Sequence, residues 1–254
     1  MRRLIALAAV LVGLGAFASP AAADPFFSPA NPMPSAVSGI AAATLPDGRV
    51  ILMGGDNASL LNSTTIYDPV TGSYSPGPSM IEARSGAGAA ELPDGRVLVT
   101  GGGTFSGFIS SAEVYDPATN QFTLTESMDV PRSKPVVAPL PDGTVLVAGG
   151  RNEAGPLTSV EIYDPVSGTF SPADPMPEER QDAFGAALPD GGVLIAGGRG
   201  FSSILSTALI YDPVDGTFDP TGSMTVPRQG AGAAPLPGDQ DPPAGQRAGP
   251  GRRG

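Results

Sequence analysis

The sequence has no cysteine, no histidine and no tryptophan, and only 15% of its 254 residues are charged. Without cysteine there is no disulfide, no thiol nucleophile and no lipid anchor. Without histidine there is no Ser-His-Asp triad, and the two absences together remove most zinc and copper sites. No calcium loop of the D-x-D-x-D-G type is present either. These absences lead to the expectation of no catalytic residues, no metal and no cofactor.

Beyond the first residues no segment is long and apolar enough to span a membrane. The first residues read as an export signal. "MRR" is a basic start, "LIALAAVLVGLGAFA" an apolar stretch, and "SPAAAD" a small-residue cleavage pattern, so cleavage is expected after Ala23. The expected location is secreted or periplasmic, with stability coming from packing. Loss of Arg2 and Arg3 would take the net charge from −11 to −13. So acidic a chain is not expected to seek nucleic acid, nor a membrane once the signal is removed.

What the chain does have is repetition. "LPDG" begins at Leu45, Leu92, Leu140 and Leu188, double glycines at Gly54, Gly101, Gly149 and Gly197, and "YDP" at Tyr67, Tyr115, Tyr163 and Tyr211. A methionine closes each unit at Met80, Met128, Met176 and Met224, in steps of 47 or 48 residues. Periods near 50 with a double glycine point to the blades of a propeller.

Each unit predicts four strands. In the second unit these are "GAGAAEL" (86–92), "RVLVTGG" (96–102), "SAEVYDP" (111–117) and "QFTLTES" (121–127). "PDG" is a tight turn, where proline presets φ and glycine takes φ > 0. The second strand is a continuous apolar run, as expected when both faces are covered. The first is made of Gly and Ala, suited to crowding around an axis. The fourth carries Pro76, Pro172 and Pro220, and a residue with no amide to donate belongs on an edge. The first strand is therefore predicted innermost and the fourth outermost.

The unit from 83 to 128, with Arg84, Gly101-Gly102, Tyr115-Asp116-Pro117 and Met128, resembles a kelch repeat, and the likeness recurs from about 34 to 236. The resemblance implies an all-β, kelch-type β-propeller, related in fold to the central domain of galactose oxidase. Copper-radical chemistry of that kind needs His and Cys, which are absent. Kelch repeats usually carry Trp in the fourth strand. Tyr74, Phe122, Phe170 and Phe218 stand there instead and are expected to keep an aromatic ring between blades.

Four full blades are expected at about 34–80, 81–128, 129–176 and 177–224, within a propeller spanning 24–237. A partial fifth, 225–237, gives way inside its turn to a Gly/Pro/Arg-rich tail, 238–254, expected to be disordered. "FSPANPM" (27–33) repeats the fourth-strand sequence "FSPADPM" (170–176) with no strands before it. It is expected to act as an N-terminal closing strand. Its partner blade stops at Pro237, which favours a chain shorter than the protein its repeats were built for. Open propeller ends would invite self-association.

Two series are candidate ligand-binding residues. Arg84, Arg132, Arg180 and Arg228 each follow the repeat methionine by four residues, where the first unit has Val37. They could ring the channel mouth, or they could pair with acids and cap loop carbonyls; regular recurrence favours the second role. The other series lies in the connections between second and third strands, which differ most between units: Phe105, Phe108, Arg151, Glu153, Arg199 and Phe201. The eight turn acids (Asp47, Asp94, Asp142, Asp190, Asp68, Asp116, Asp164 and Asp212) are expected to bond their own turns. Asn57 and Asn62 begin glycosylation-type sequons.

The expected function is an exported, non-catalytic binding scaffold whose loop-rich face takes a glycan or a protein. The alternatives are a sugar-acting periplasmic kelch-type enzyme, such as a sialic-acid mutarotase, using Glu178 or Glu179 beside Arg180 as base, or a remnant without independent function.

Overall fold

A computed structural model describes residues 31–230. The signal segment, Phe27 to Ala30 of the closing strand, residues 231–237 of the fifth unit and the tail all lie outside the described residues. Residues 31–33 and 225–230 are described and belong to no strand.

Four antiparallel sheets of four strands follow one another along the chain. The first is β1 (Ala41–Thr44), β2 (Val50–Met53), β3 (Thr64–Asp68) and β4 (Ser73–Pro76). The second is β5 (Gly88–Glu91), β6 (Val97–Thr100), β9 (Ala112–Asp116) and β10 (Gln121–Leu124), with a small hairpin, β7 (Gly103–Thr104) and β8 (Gly107–Phe108), inserted between β6 and β9. The third is β11 (Val136–Pro139), β12 (Val145–Ala148), β15 (Val160–Asp164) and β16 (Thr169–Ala173), with the hairpin β13 (Arg151–Asn152) and β14 (Gly155–Pro156). The fourth is β17 (Phe184–Ala187), β18 (Val193–Ala196), β19 (Ala208–Asp212) and β20 (Thr217–Thr221).

The first strands β1, β5, β11 and β17 lie side by side in that order. They are the innermost strands, and the proline-bearing β4, β16 and β20 are at the outer edge. Small residues are needed inside because neighbours interlock. A Cβ at Gly88 would collide with Val137, and one at Gly185 with Val136. The second strands β6 and β12 are buried along their whole length, whereas β2 alternates buried and half-buried residues.

The core is three interfaces, not one centre. Ile51, Met53, Ile66 and Met80 of the first sheet pack on Val97, Val99, Tyr115 and Phe122 of the second. Leu98 and Val114 pack on Val145 and Tyr163, and Leu146, Val160 and Met176 on Val193, Ile195, Leu209 and Tyr211. In every sheet the "YDP" tyrosine meets the fourth-strand ring at 4.8–5.1 Å between centroids: Tyr67–Tyr74, Tyr115–Phe122, Tyr163–Phe170 and Tyr211–Phe218. In the second, third and fourth sheets these paired rings fill the space against the preceding blade without tryptophan.

Candidate functional site

Antiparallel pairing sends the ends of each sheet to two opposite faces. One face holds the "PDG" and "YDP" turns. There the eight aspartates accept amide hydrogens two residues on, as in Arg49 N to Asp47 Oδ1 at 3.1 Å, Val70 N to Asp68 Oδ1 at 2.8 Å and Val166 N to Asp164 Oδ1 at 2.8 Å. The same bond is made at Asp94, Asp116, Asp142, Asp190 and Asp212. These acids bond their own turns.

The other face carries the two small hairpins, the longer connections and the crossings between blades. Here the arginine series must be corrected. Arg84, Arg132 and Arg180 are buried, at 0%, 0% and 1% exposure, so they offer no guanidinium to a ligand. Arg84 Nη1 donates to the carbonyls of Gly101 and Ser111, both at 2.9 Å, and Nη2 donates to Glu113 Oε1 at 2.7 Å. Arg132 repeats this with Gly149, Ser159 and Glu161. The glutamates also accept backbone amides from the incoming crossing: Ile81 and Glu82 on Glu113, Asp129 and Val130 on Glu161. The second and third units therefore each lock the incoming crossing onto their own third strand. Burial lowers the Arg132 pKa and the Glu161 carboxylate opposes that fall.

The fourth sheet has Leu209 where the glutamate stands, and Arg180 turns to Glu178 at 3.0 Å. Glu178 also accepts from Thr207. Arg228 is exposed.

The loop series is linked along this face. Arg151 sits 5.2 Å above the Phe108 ring, a cation–π distance. Glu153 Oε1 accepts the Phe108 amide at 3.3 Å, which joins the two hairpins. The Phe201 ring lies so close over Gly155 that a Cβ there would collide with it. Glu179 Oε1 accepts the Phe201 amide at 3.3 Å. Arg199 is exposed and its backbone pairs with Gln181. Phe105, at the tip of the first hairpin, is 85% exposed.

Phe105 borders a cleft of about 410 Å³ between the first and second sheets, lined also by Asp56, Ala58, Ser59, Leu60, Ser85, Thr104 and Ser133. The opening exists because the position after the double glycine is Asp56, Gly103, Arg151 and Arg199 in successive units, and Gly103 has no side chain. Asp56 Oδ2 accepts from Ser38 Oγ at 3.1 Å and Ser85 Oγ at 3.0 Å. Ala58 in this wall has φ +94°, a conformation costly to any residue with a Cβ. Ser85 and Ser133 hold the same repeat position as Ser38, and Asp56 has no acidic counterpart after the other double glycines, so only an alignment of the units could have shown the group.

A second feature lies at the start of the inner strands. Gly86 N donates to Gly39 O at 2.7 Å, Lys134 N to Gly86 O at 2.6 Å, Asp182 N to Lys134 O at 3.2 Å and Gly230 N to Asp182 O at 2.9 Å. This belt ties each unit to the next, and all five residues have φ between +55° and +69°. Three are glycine; Lys134 and Asp182 are not. Their side chains meet at 3.0 Å, 45% and 23% exposed. A left-handed conformation costs an L-residue roughly 1–2 kcal/mol, and an ion pair this exposed contributes about 0.2–1 kcal/mol. The pair does not offset the strain that carries it. Only the series Gly39, Gly86, Lys134, Asp182, Gly230, aligned by the repeat, could have shown this in the sequence.

The Kelch motif model matches residues 41–81, 83–128 and 133–177, about half the chain. The chain belongs to the kelch family. Its fold is that of the solved protein titled "Structure of YjhT", which superposes with a TM-score of 0.69 at 16% identity, over 79% of this chain and 74% of that one. Such a likeness shows the fold alone. Comparison with curated proteins gave no match. The fourth sheet, outside the matched residues, has the kelch strand order of the other three.

Proposed function

We propose that this kelch propeller is an exported, non-catalytic module that binds a glycan on its loop face. One observation carries the reading: the cleft beside Phe105 combines an aromatic ring, an oriented carboxylate and hydroxyls in a volume within the range of small-molecule sites. Sugars present apolar ring faces and hydroxyl groups. Phe105 supplies the surface for the first, and Asp56, Ser85 and Ser133 accept from or donate to the second. The rigid sheets hold these groups, and the clasp between Phe108, Arg151 and Glu153 fixes the hairpin that carries Phe105.

Export rests on the basic start, apolar stretch and cleavage pattern ending at Ala23. Mature protein from the extracellular or periplasmic fraction is expected to begin at Asp24.

A glycan array on the purified mature chain tests the binding. A defined set of glycans is expected to be retained, and retention is expected to be lost in Phe105→Ala and in Asp56→Asn. Retention unchanged in both variants sinks the cleft. Capture of a protein through this face with no glycan bound also overturns the reading, and exchange of sugar anomers by the pure protein ends the non-catalytic part of it.

A further inference from the structure

Lys134 is the only lysine in the 254 residues, and it stands at a belt position where Gly39, Gly86 and Gly230 show that no side chain is needed. The backbone bonds of the belt are made at the glycines as they are at Lys134 and Asp182. Stability therefore does not account for the two side chains. Strain of this sort is kept where a surrounding structure holds it for another purpose.

What the pair offers is one cation and one anion side by side, Nζ to Oδ2 at 3.0 Å, both open to solvent. Gly86 leaves room for the lysine stem, since a Cβ there would come within 3.2 Å of Lys134 Cγ. Their chain neighbours Pro135 and Ala183 line a cavity of about 220 Å³ together with the inner strands β5, β11 and β17. The edges of innermost strands present unpaired backbone donors and acceptors to such a space.

We propose that Lys134 and Asp182 form a second binding site, at the channel mouth, for a small zwitterion of the α-amino acid type. The ligand carboxylate meets the Lys134 ammonium and the ligand ammonium meets Asp182, two opposed pairs on groups 3.0 Å apart. The inner-strand backbone receives a short polar side chain. A simple anion brought to Lys134 also meets the Asp182 carboxylate, and a simple cation brought to Asp182 meets the ammonium. A single charge therefore keeps one attraction and meets one repulsion. The site shares no residue with the cleft beside Phe105 and does not depend on that reading.

Titration calorimetry on the full mature chain with glycine, L-serine and L-leucine, and with acetate and methylamine as half-ligands, tests it. Binding of glycine or serine is expected, with acetate and methylamine each weaker by at least about tenfold, since each keeps only one charge-assisted pair. Lys134→Gly and Asp182→Gly copy the residue found at the other three belt positions. They are expected to keep the fold and a melting temperature no lower than the parent, while losing at least about tenfold in affinity. No heat from any amino acid up to about 10 mM, a range that captures affinities of millimolar order, overturns the site. So does equal binding of acetate, or full affinity in both glycine variants. Phe105→Ala is expected to leave amino-acid binding unchanged, which separates failure here from failure of the glycan reading.

Discussion

Arg84 and Glu113 form an ion pair of 2.7 Å in which solvent reaches neither side chain. The pair is one corner of a larger lock, because Arg84 also binds two carbonyls and Glu113 two crossing amides. Removing one partner of a buried pair strands the other, so Glu113→Ala is expected to cost about 3–5 kcal/mol. A plain buried pair can often be replaced by two apolar residues without loss. Here the double change Arg84→Met with Glu113→Leu takes these partners from the Gly101 carbonyl and the Ile81 and Glu82 amides, at about 1–3 kcal/mol for each that is buried. The double variant is expected to remain destabilised by at least about 2 kcal/mol in urea unfolding. A midpoint equal to the parent's would show that the backbone bonds contribute little.

The two kinds of turn glycine are expected to respond differently to alanine. Gly48 has φ +84° and open space around it, so Gly48→Ala meets only the conformational cost of roughly 1–2 kcal/mol. Gly101 has φ +67°, and a Cβ there would fall on the Arg132 carbonyl oxygen and within 3.2 Å of Met128 Cε. Gly101→Ala is expected to lower the melting temperature well beyond Gly48→Ala. Equal shifts would mean that backbone conformation alone keeps the double glycines.

The strand plan, its inside-to-outside order and the turn acids could all be read from the repeat, because each depends on local sequence: glycine where φ is positive, proline where no amide is needed, Asp before a turn. The role of the arginines could not be fixed. Their partners Glu113 and Glu161 lie 29 residues on and occur in only two units, with Thr65 and Leu209 in the others. Unit one loses both members together, Val37 for the arginine and Thr65 for the glutamate, which is the one sequence sign of the pairing. The variable connections read as irregular loops, yet two of them fold as hairpins. The cleft was hidden because it is bounded by residues from three units.

Acid is expected to weaken the turn face first. Backbone amides of Val70 and Val166 hold the Asp68 and Asp164 carboxyls below their ordinary value of 3.8, and Arg49 does the same for Asp47. A carboxyl lowered in the folded state stabilises fully above its unfolded pKa and loses that contribution as the pH falls through its folded pKa. The melting temperature is therefore expected to hold from neutral pH down to about 5 and to fall below about 4. Asn keeps the acceptor oxygen but does not titrate, so Asp68→Asn with Asp164→Asn is expected to reduce the acid slope. The same slope in the variant would place the acid sensitivity elsewhere.

Phe105 and Phe201 are both exposed rings on the loop face, at 85% and 64%, but only Phe201 rests on another unit. Its ring covers Gly155 of the third unit, and its amide is held by Glu179. Phe105 sits on a turn that fixes itself, with Thr104 Oγ1 accepting the Ser106 amide at 3.2 Å and bonding the Gly107 carbonyl at 3.1 Å. Removing the Phe105 ring uncovers no partner. Phe105→Ala is expected to shift stability by less than about 0.5 kcal/mol, as for a surface change away from packing, while abolishing glycan retention. Phe201→Ala exposes the backbone under it and is expected to lower the melting temperature measurably. If Phe105→Ala destabilises as much as Phe201→Ala does, the ring is packing and the cleft loses its aromatic wall as a recognition element.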